Sequence, residues 1–241
     1  MLERAGKLLF GCAIFSSSLL LFLIQPVFAK LILPWFGGSA AVWIVCLVFF
    51  QSALLAGYLY SHLLTSRLAP APQSWIHIAL LAASLFLLPV IPGAFWKPAQ
   101  GSADPAWAIL LLLIAVLGLP YFLLSTTTPL LQVWYTRKYA GPPPYRLFAL
   151  SNAASLLALA SYPFWIEPSL PTRAQASWWS GAFAVCAIVC ALIAFSGRRS
   201  TGTKRRSRSM ARPSPRRSPA STSPRHGAAG IMRELRLAGR M

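Results

Sequence analysis

Six long apolar runs fill the first 197 residues, at about 8–29, 41–63, 75–91, 107–134, 147–165 and 178–195. A helix rises ~1.5 Å per residue and the hydrocarbon layer of a bilayer is ~30 Å thick, so runs of this length fit membrane crossings. The nine tryptophans, Trp35, Trp43, Trp75, Trp96, Trp107, Trp134, Trp165, Trp178 and Trp179, stand at the edges of the runs rather than in their middles. An indole ring is apolar but its N–H seeks a polar partner, so it settles at the headgroup level. The pattern predicts two interfacial belts and an all-α fold: a polytopic helical membrane bundle of about six transmembrane helices, with the lipid bilayer as its first partner.

Charge follows the same division. The chain is 56% hydrophobic and 11% charged, too few charges to cover a water-facing surface of this size. Its net charge of +18 is uneven: nine of the 22 Lys/Arg lie in residues 1–197, and the rest fall in 198–241. The four acids, Glu3, Asp104, Glu167 and Glu234, all lie outside the predicted spans. No paired carboxylate is available for acid/base work, and Ser16-Ser17-Ser18 has no nearby base to make a nucleophile. Gly37-Gly38 reads as a turn between helices, since a phosphate-binding loop needs more glycines between a strand and a helix. His62 and His77 flank the Arg67 loop without a third ligand, and Cys12, Cys46, Cys186 and Cys190 lie within apolar runs, where thiols pack as small hydrophobes. These features predict no catalytic residues, no metal site and no cofactor.

Six spans put both ends of the membrane part on one side. With the N-terminus inside, Arg4, Lys7, Arg67, Arg137, Lys138 and Arg146 face the cytoplasm and Lys30, Lys97 and Arg173 face out, which agrees with the positive-inside bias. The expected location is a bacterial inner membrane with both termini cytoplasmic. Val27-Phe28-Ala29 resembles a signal-cleavage site, but the run is long for a signal core, and Gln25-Pro26 falls where an inter-helix corner is expected. The first run is therefore read as a retained helix. Residues 198–241 are rich in Arg, Ser and Pro without apolar periodicity, which predicts a disordered basic tail. Such a tail is attracted to anionic lipid headgroups, and it lacks the interleaved aromatics and base-reading groups of specific nucleic-acid binding. Two origins stay open for it: a genuine tail, or frame-shifted text from a GC-rich gene.

Polar residues inside the spans are the candidates for function. In the fourth run Pro120 and Pro129 bracket Ser125, Thr126, Thr127 and Thr128. Hydroxyls can satisfy carbonyls freed by proline, or the segment can be a broken helix lining a binding cavity; the first is favoured because no ionisable residue accompanies it. Gln25, Gln51, Gln132 and Asn152 complete the candidate solute-binding set, each with the alternative role of hydrogen bonding between helices. Ser151, Ser155 and Ala158, and Ala182, Cys186 and Cys190, form small-residue faces for close helix contact.

Several segments resemble one family. Gln25-Pro26-Val27-Phe28-Ala29-Lys30, Leu33-Pro34, Gly37-Gly38-Ser39 and Val42-Trp43 are similar to the opening of bacterial fused transporter-like/spermidine synthase proteins. The likeness continues in Phe49-Phe50-Gln51, Leu54-Leu55-Ala56-Gly57-Tyr58 and Leu124-Ser125-Thr126-Thr127-Thr128-Pro129-Leu130-Leu131-Gln132, then in Ser151-Asn152, Ser155-Leu156, Tyr162-Pro163 and Glu167-Pro168. Ala154 stands where the family pattern has glycine. The resemblance implies a membrane region of the kind compared with major-facilitator transporters, which in the family is joined to a soluble aminopropyltransferase domain. No segment here resembles that second domain, so the expectation is a transporter-like module that is not itself an enzyme, handling a small solute or polyamine. The alternatives are a membrane anchor for a soluble aminopropyltransferase-like partner, and a truncated product without independent activity.

Overall fold

The structure is a computed structural model; it describes residues 2–98, 105–139 and 145–210, with side chains described from residue 3 to residue 196. The described chain forms six helices: α1 Leu2–Phe36, α2 Ala40–Arg67, α3 Pro70–Leu85, α4 Pro105–Lys138, α5 Tyr145–Ser169 and α6 Thr172–Met210. A short 3-10 turn, Ala94–Trp96, precedes α4, and no strand occurs among the described residues. All of these helices except α3 are long and apolar enough to cross a membrane, which makes the chain a multi-pass helical membrane protein.

Several boundaries differ from the sequence expectation. α1 passes straight through Pro26 and Pro34 to Phe36, so no corner forms at Gln25-Pro26. A proline inside a helix removes one backbone hydrogen bond without necessarily ending the helix. The turn comes at Gly37, whose φ of 76° is the left-handed conformation that suits glycine, and its N–H donates to the Leu33 carbonyl over 2.9 Å, closing the helix end. α3 has 16 residues and stops at Leu85, although the apolar run continues to 91. Pro89 and Pro92 cannot donate ladder bonds and disfavour helix in the residues before them, so residues 87–93 leave the helix despite their apolarity. The Val90 N–H instead donates to Ser180 Oγ of α6 over 3.1 Å, and Val90 is fully buried. The helical backbone of α6 continues past Gly197 to Met210, beyond the expected start of the tail; residues 211–241 lie outside the described residues.

Two prolines are absorbed by changes of helical register. A π-helical turn at Ile114–Gly118 immediately precedes Pro120, and a second at Tyr162–Ile166 contains Pro163. Widening one turn lets the missing N–H fall where the ladder is already shifted, so α4 and α5 continue without breaking. The broken-helix alternative for the fourth run is thereby replaced by a continuous α4.

Side-chain contacts fix the directions of the helices. Ser18 meets Ser151, and Lys30 meets Glu167, so α1 and α5 run parallel. Phe50 meets Tyr121, and Arg137 bonds the Thr65 carbonyl, so α2 and α4 run parallel to each other. Gln25 meets Tyr121 while Phe10 meets Tyr135, so the α1/α5 pair opposes the α2/α4 pair. Arg4, Lys7, Arg67, Arg137, Lys138 and Arg146 consequently gather at one end of the bundle, and Lys30, Glu167 and Arg173 at the other.

α1, α4 and α6 are the central helices, with 44%, 50% and 44% of their apolar windows buried, against 28% for α2 and 22% for α5. Ile14, Ile24 and Phe28 of α1 and Leu113, Leu117 and Tyr121 of α4 form the middle of the core. Gly57 sets the approach of α2 to α4: a Cβ there would collide with the Ser125 side chain and lie 3.2 Å from its backbone carbonyl carbon. The outward faces carry Leu47, Val48, Leu55, Leu156, Ile188 and Leu192, the surface that lipid tails require.

Candidate functional site

A half-open cleft of about 470 Å³ lies where the two opposed helix pairs meet. Its polar lining comes from four helices: Ser18 of α1, Tyr58 of α2, Ser125 and Thr128 of α4, and Ser151, Asn152 and Ser155 of α5. Leu21, Phe22, Leu124, Leu156 and Leu159 supply the apolar walls.

Ser18 Oγ is the hub. It lies 2.7 Å from Ser151 Oγ and 3.2 Å from Thr128 Oγ1, so hydroxyls from α1, α4 and α5 share one hydrogen-bonded cluster. A hydroxyl has one proton and two acceptor lone pairs, so this cluster keeps spare acceptor capacity toward the cleft. Asn152 stands beside it, exposed, and its amide makes no hydrogen bond among the described residues. Ser125 is buried and donates to the Phe122 carbonyl over 2.7 Å, also lying 3.3 Å from the Ala53 carbonyl of α2. The site therefore offers hydroxyls, one amide and the Tyr58 ring, with no charged side chain among its lining residues.

Of the residues singled out in the sequence, Ser125, Thr128 and Asn152 come together here. Thr126 and Thr127 do not: both point into the bundle and donate back to the Leu123 carbonyl over 2.8 Å. Gln25 donates to Tyr121 Oη over 3.1 Å, about 10 Å along α1 from Ser18, which is the helix-to-helix role. Gln51 is exposed on α2 and does not line the cleft, and Gln132 is buried with its amide nitrogen unpartnered among the described residues. Pro129 frees the Ser125 carbonyl, but the neighbouring hydroxyls bond to Phe122 and Leu123 instead. They therefore do not fill the vacancy that the proline leaves.

Ser18, Tyr58, Ser151 and Ser155 were not in the candidate set. Ser151 and Ser155 carried a usable signal, since their i, i+4 spacing puts both on the face of α5 that also presents Asn152 one residue away. Ser18 carried none, because a serine among three serines looks alike whichever way it turns.

Among the described residues no group of three His, Cys, Asp or Glu could hold a metal ion, and all four cysteines are free. Cys46, Cys186 and Cys190 are buried and Cys12 is exposed. His62 is exposed on α2, whereas His77 is buried between the rings of Tyr60 and Trp134, so the two histidines do not form a pair. Compared with known protein families, characterised proteins and solved structures, this chain matches none.

Proposed function

We propose that this chain is a transporter-like membrane module whose solute site is the cleft around Ser18, Ser151 and Asn152. The observation that supports it is the position of the cleft, at the junction of two helix pairs of opposite direction, α1/α5 and α4/α2. Inverted helix sets with a polar site near the midplane are a recurring plan of secondary transporters. The segments that resemble the fused transporter-like/spermidine synthase family converge on the same place: Tyr58, Leu124, Ser125, Thr128, Ser151, Asn152, Ser155 and Leu156 all line the cleft. In this reading the chain corresponds to the membrane half of such a protein and carries no synthase activity of its own.

The lining favours a small uncharged solute with several hydrogen-bonding groups. A polyamine cation would need a carboxylate partner, and Glu167 is engaged with Lys30 at one end of the bundle, 2.6 Å apart. The bundle sits in a bacterial inner membrane with the Arg67/Arg137 end cytoplasmic, as the positive-inside bias requires.

Uptake into proteoliposomes tests the reading, using labelled polyols, neutral amino acids and spermidine. A neutral solute should enter, and Asn152→Leu should cut its uptake at least about tenfold, because each lost hydrogen bond to a bound polar group costs ~1–3 kcal/mol. Spermidine uptake would reassign the solute class, and no uptake of any solute would overturn transport. A reporter enzyme fused after residue 200 should be active in the cytoplasm.

A further inference from the structure

The face of α2 turned away from the cleft borders a second cavity of about 540 Å³, between α2 and α3. Successive residues on a helix advance by ~100°, so Ala56, Leu59, Leu63 and Arg67 share a side that Tyr58 does not. Ala56, Leu59, Leu63 and Leu64 of α2 and Ile76 of α3 form an almost wholly apolar lining, with Arg67 closing one end.

The gap has a structural cause. α3 leans on α4 rather than on α2: Gln73 Oε1 accepts from Trp134 Nε1 over 3.2 Å and from Arg137 Nη1 over 3.0 Å, and the His77 ring stands edge-on to Trp134. This leaves the side of α2 that carries Ala56, Leu59 and Leu63 open over a length of about 16 Å at the helical rise, from Ala56 to Arg67. That length is roughly half the ~30 Å hydrocarbon layer, the depth of one leaflet.

The charge at the mouth is positive and uncompensated. The Arg67 guanidinium is exposed and has no partner among the described residues. Arg137 does not line the cavity; it is held by Gln73 and by the Thr65 carbonyl, which it meets over 3.1 Å. Glu3, at the same end of the bundle, is bonded to Lys7, and Glu167 is bonded to Lys30 at the other end. A cavity of similar volume on α6, lined by Ser177, Trp178, Gly181, Ala182 and Val185, has no cation at all.

We infer that the α2/α3 groove is a binding site for one anionic phospholipid, its acyl chain along Ala56, Leu59 and Leu63 and its phosphate at Arg67. An apolar slot of leaflet depth that ends in an unpartnered guanidinium group matches a lipid tail and an anionic headgroup together. This site uses no residue after 197 and does not depend on whether the cleft carries a solute.

Native mass spectrometry of the full chain, titrated with phosphatidylglycerol and with phosphatidylcholine, tests it. Phosphatidylglycerol should bind at least about five-fold tighter, the worth of one cation near a headgroup. Arg67→Gln should lower the phosphatidylglycerol affinity of the groove about five-fold in the full chain and leave phosphatidylcholine unchanged. Ala56→Phe should weaken both lipids by filling the slot, while Val185→Phe in the α6 cavity should change neither. Equal binding of the two lipids, or a phosphatidylglycerol affinity unchanged by Arg67→Gln and by Ala56→Phe, overturns the site.

Discussion

Trp178 and Trp179 are adjacent and identical in local context, yet they do opposite things. Trp178 is 72% exposed, where an interfacial anchor belongs. Trp179 is 2% exposed, donates from Nε1 to the Leu20 carbonyl over 2.8 Å and stacks on Phe183, so it is a core residue that joins α6 to α1. The belt expectation is therefore corrected at this position. Trp179→Phe should lower stability by about 1–3 kcal/mol, since it vacates core volume and removes a buried hydrogen bond. Trp178→Phe should stay within about 0.5 kcal/mol. Denaturant unfolding in detergent micelles separates the two. A single substituted position also explains why side-chain roles were the least legible part of the sequence. Composition says that a tryptophan is near an edge, but a rotation of ~100° between neighbours decides whether it faces lipid or protein.

At the scale of the element, apolar runs gave the positions of α1, α2, α4, α5 and α6 because length and hydropathy suffice to mark a crossing. They misplaced the end of α3 because apolarity and helicity come apart around Pro89, and the run stays hydrophobic while its backbone leaves the helix. They also hid both π turns, since the sequence shows a proline but not the register shift that accommodates it. One amide of the non-helical stretch, that of Val90, depends on a side chain of another helix. Ser180→Ala should cost about 1–3 kcal/mol by orphaning the buried Val90 N–H, whereas Ser177→Ala, an exposed change three residues earlier, should be near neutral. Thermal unfolding of the two variants in the same detergent checks the difference.

For the whole molecule, the ordering of helices follows from a few long-range contacts that no local pattern announces. The cleft was half legible: Ser125, Thr128 and Asn152 stood out as polar residues in lipid, but their assembly depends on Ser18 and Ser151 arriving from other helices. One ion pair ties α1 to α5 at the far end, with Lys30 Nζ 2.6 Å from Glu167 Oε1 and both side chains more than a third exposed. Exposure limits its worth, so Glu167→Gln should cost no more than about 1 kcal/mol. The charge-swapped pair Lys30→Glu with Glu167→Lys should recover most of that loss, as read in a double-mutant cycle of unfolding midpoints.

The seating of Val90 on Ser180 ties the order of assembly to the last helix. A nascent chain that has inserted only through α5 has no partner for the Val90 N–H in the stretch beyond Leu85, where Phe86, Leu87, Leu88 and Ile91 bond locally, and hydrocarbon offers no substitute acceptor. Until α6 arrives, that stretch must wait in the translocation machinery or at the water boundary. A gene cut before codon 172 would thus encode a product destined for quality-control proteolysis rather than a smaller working bundle.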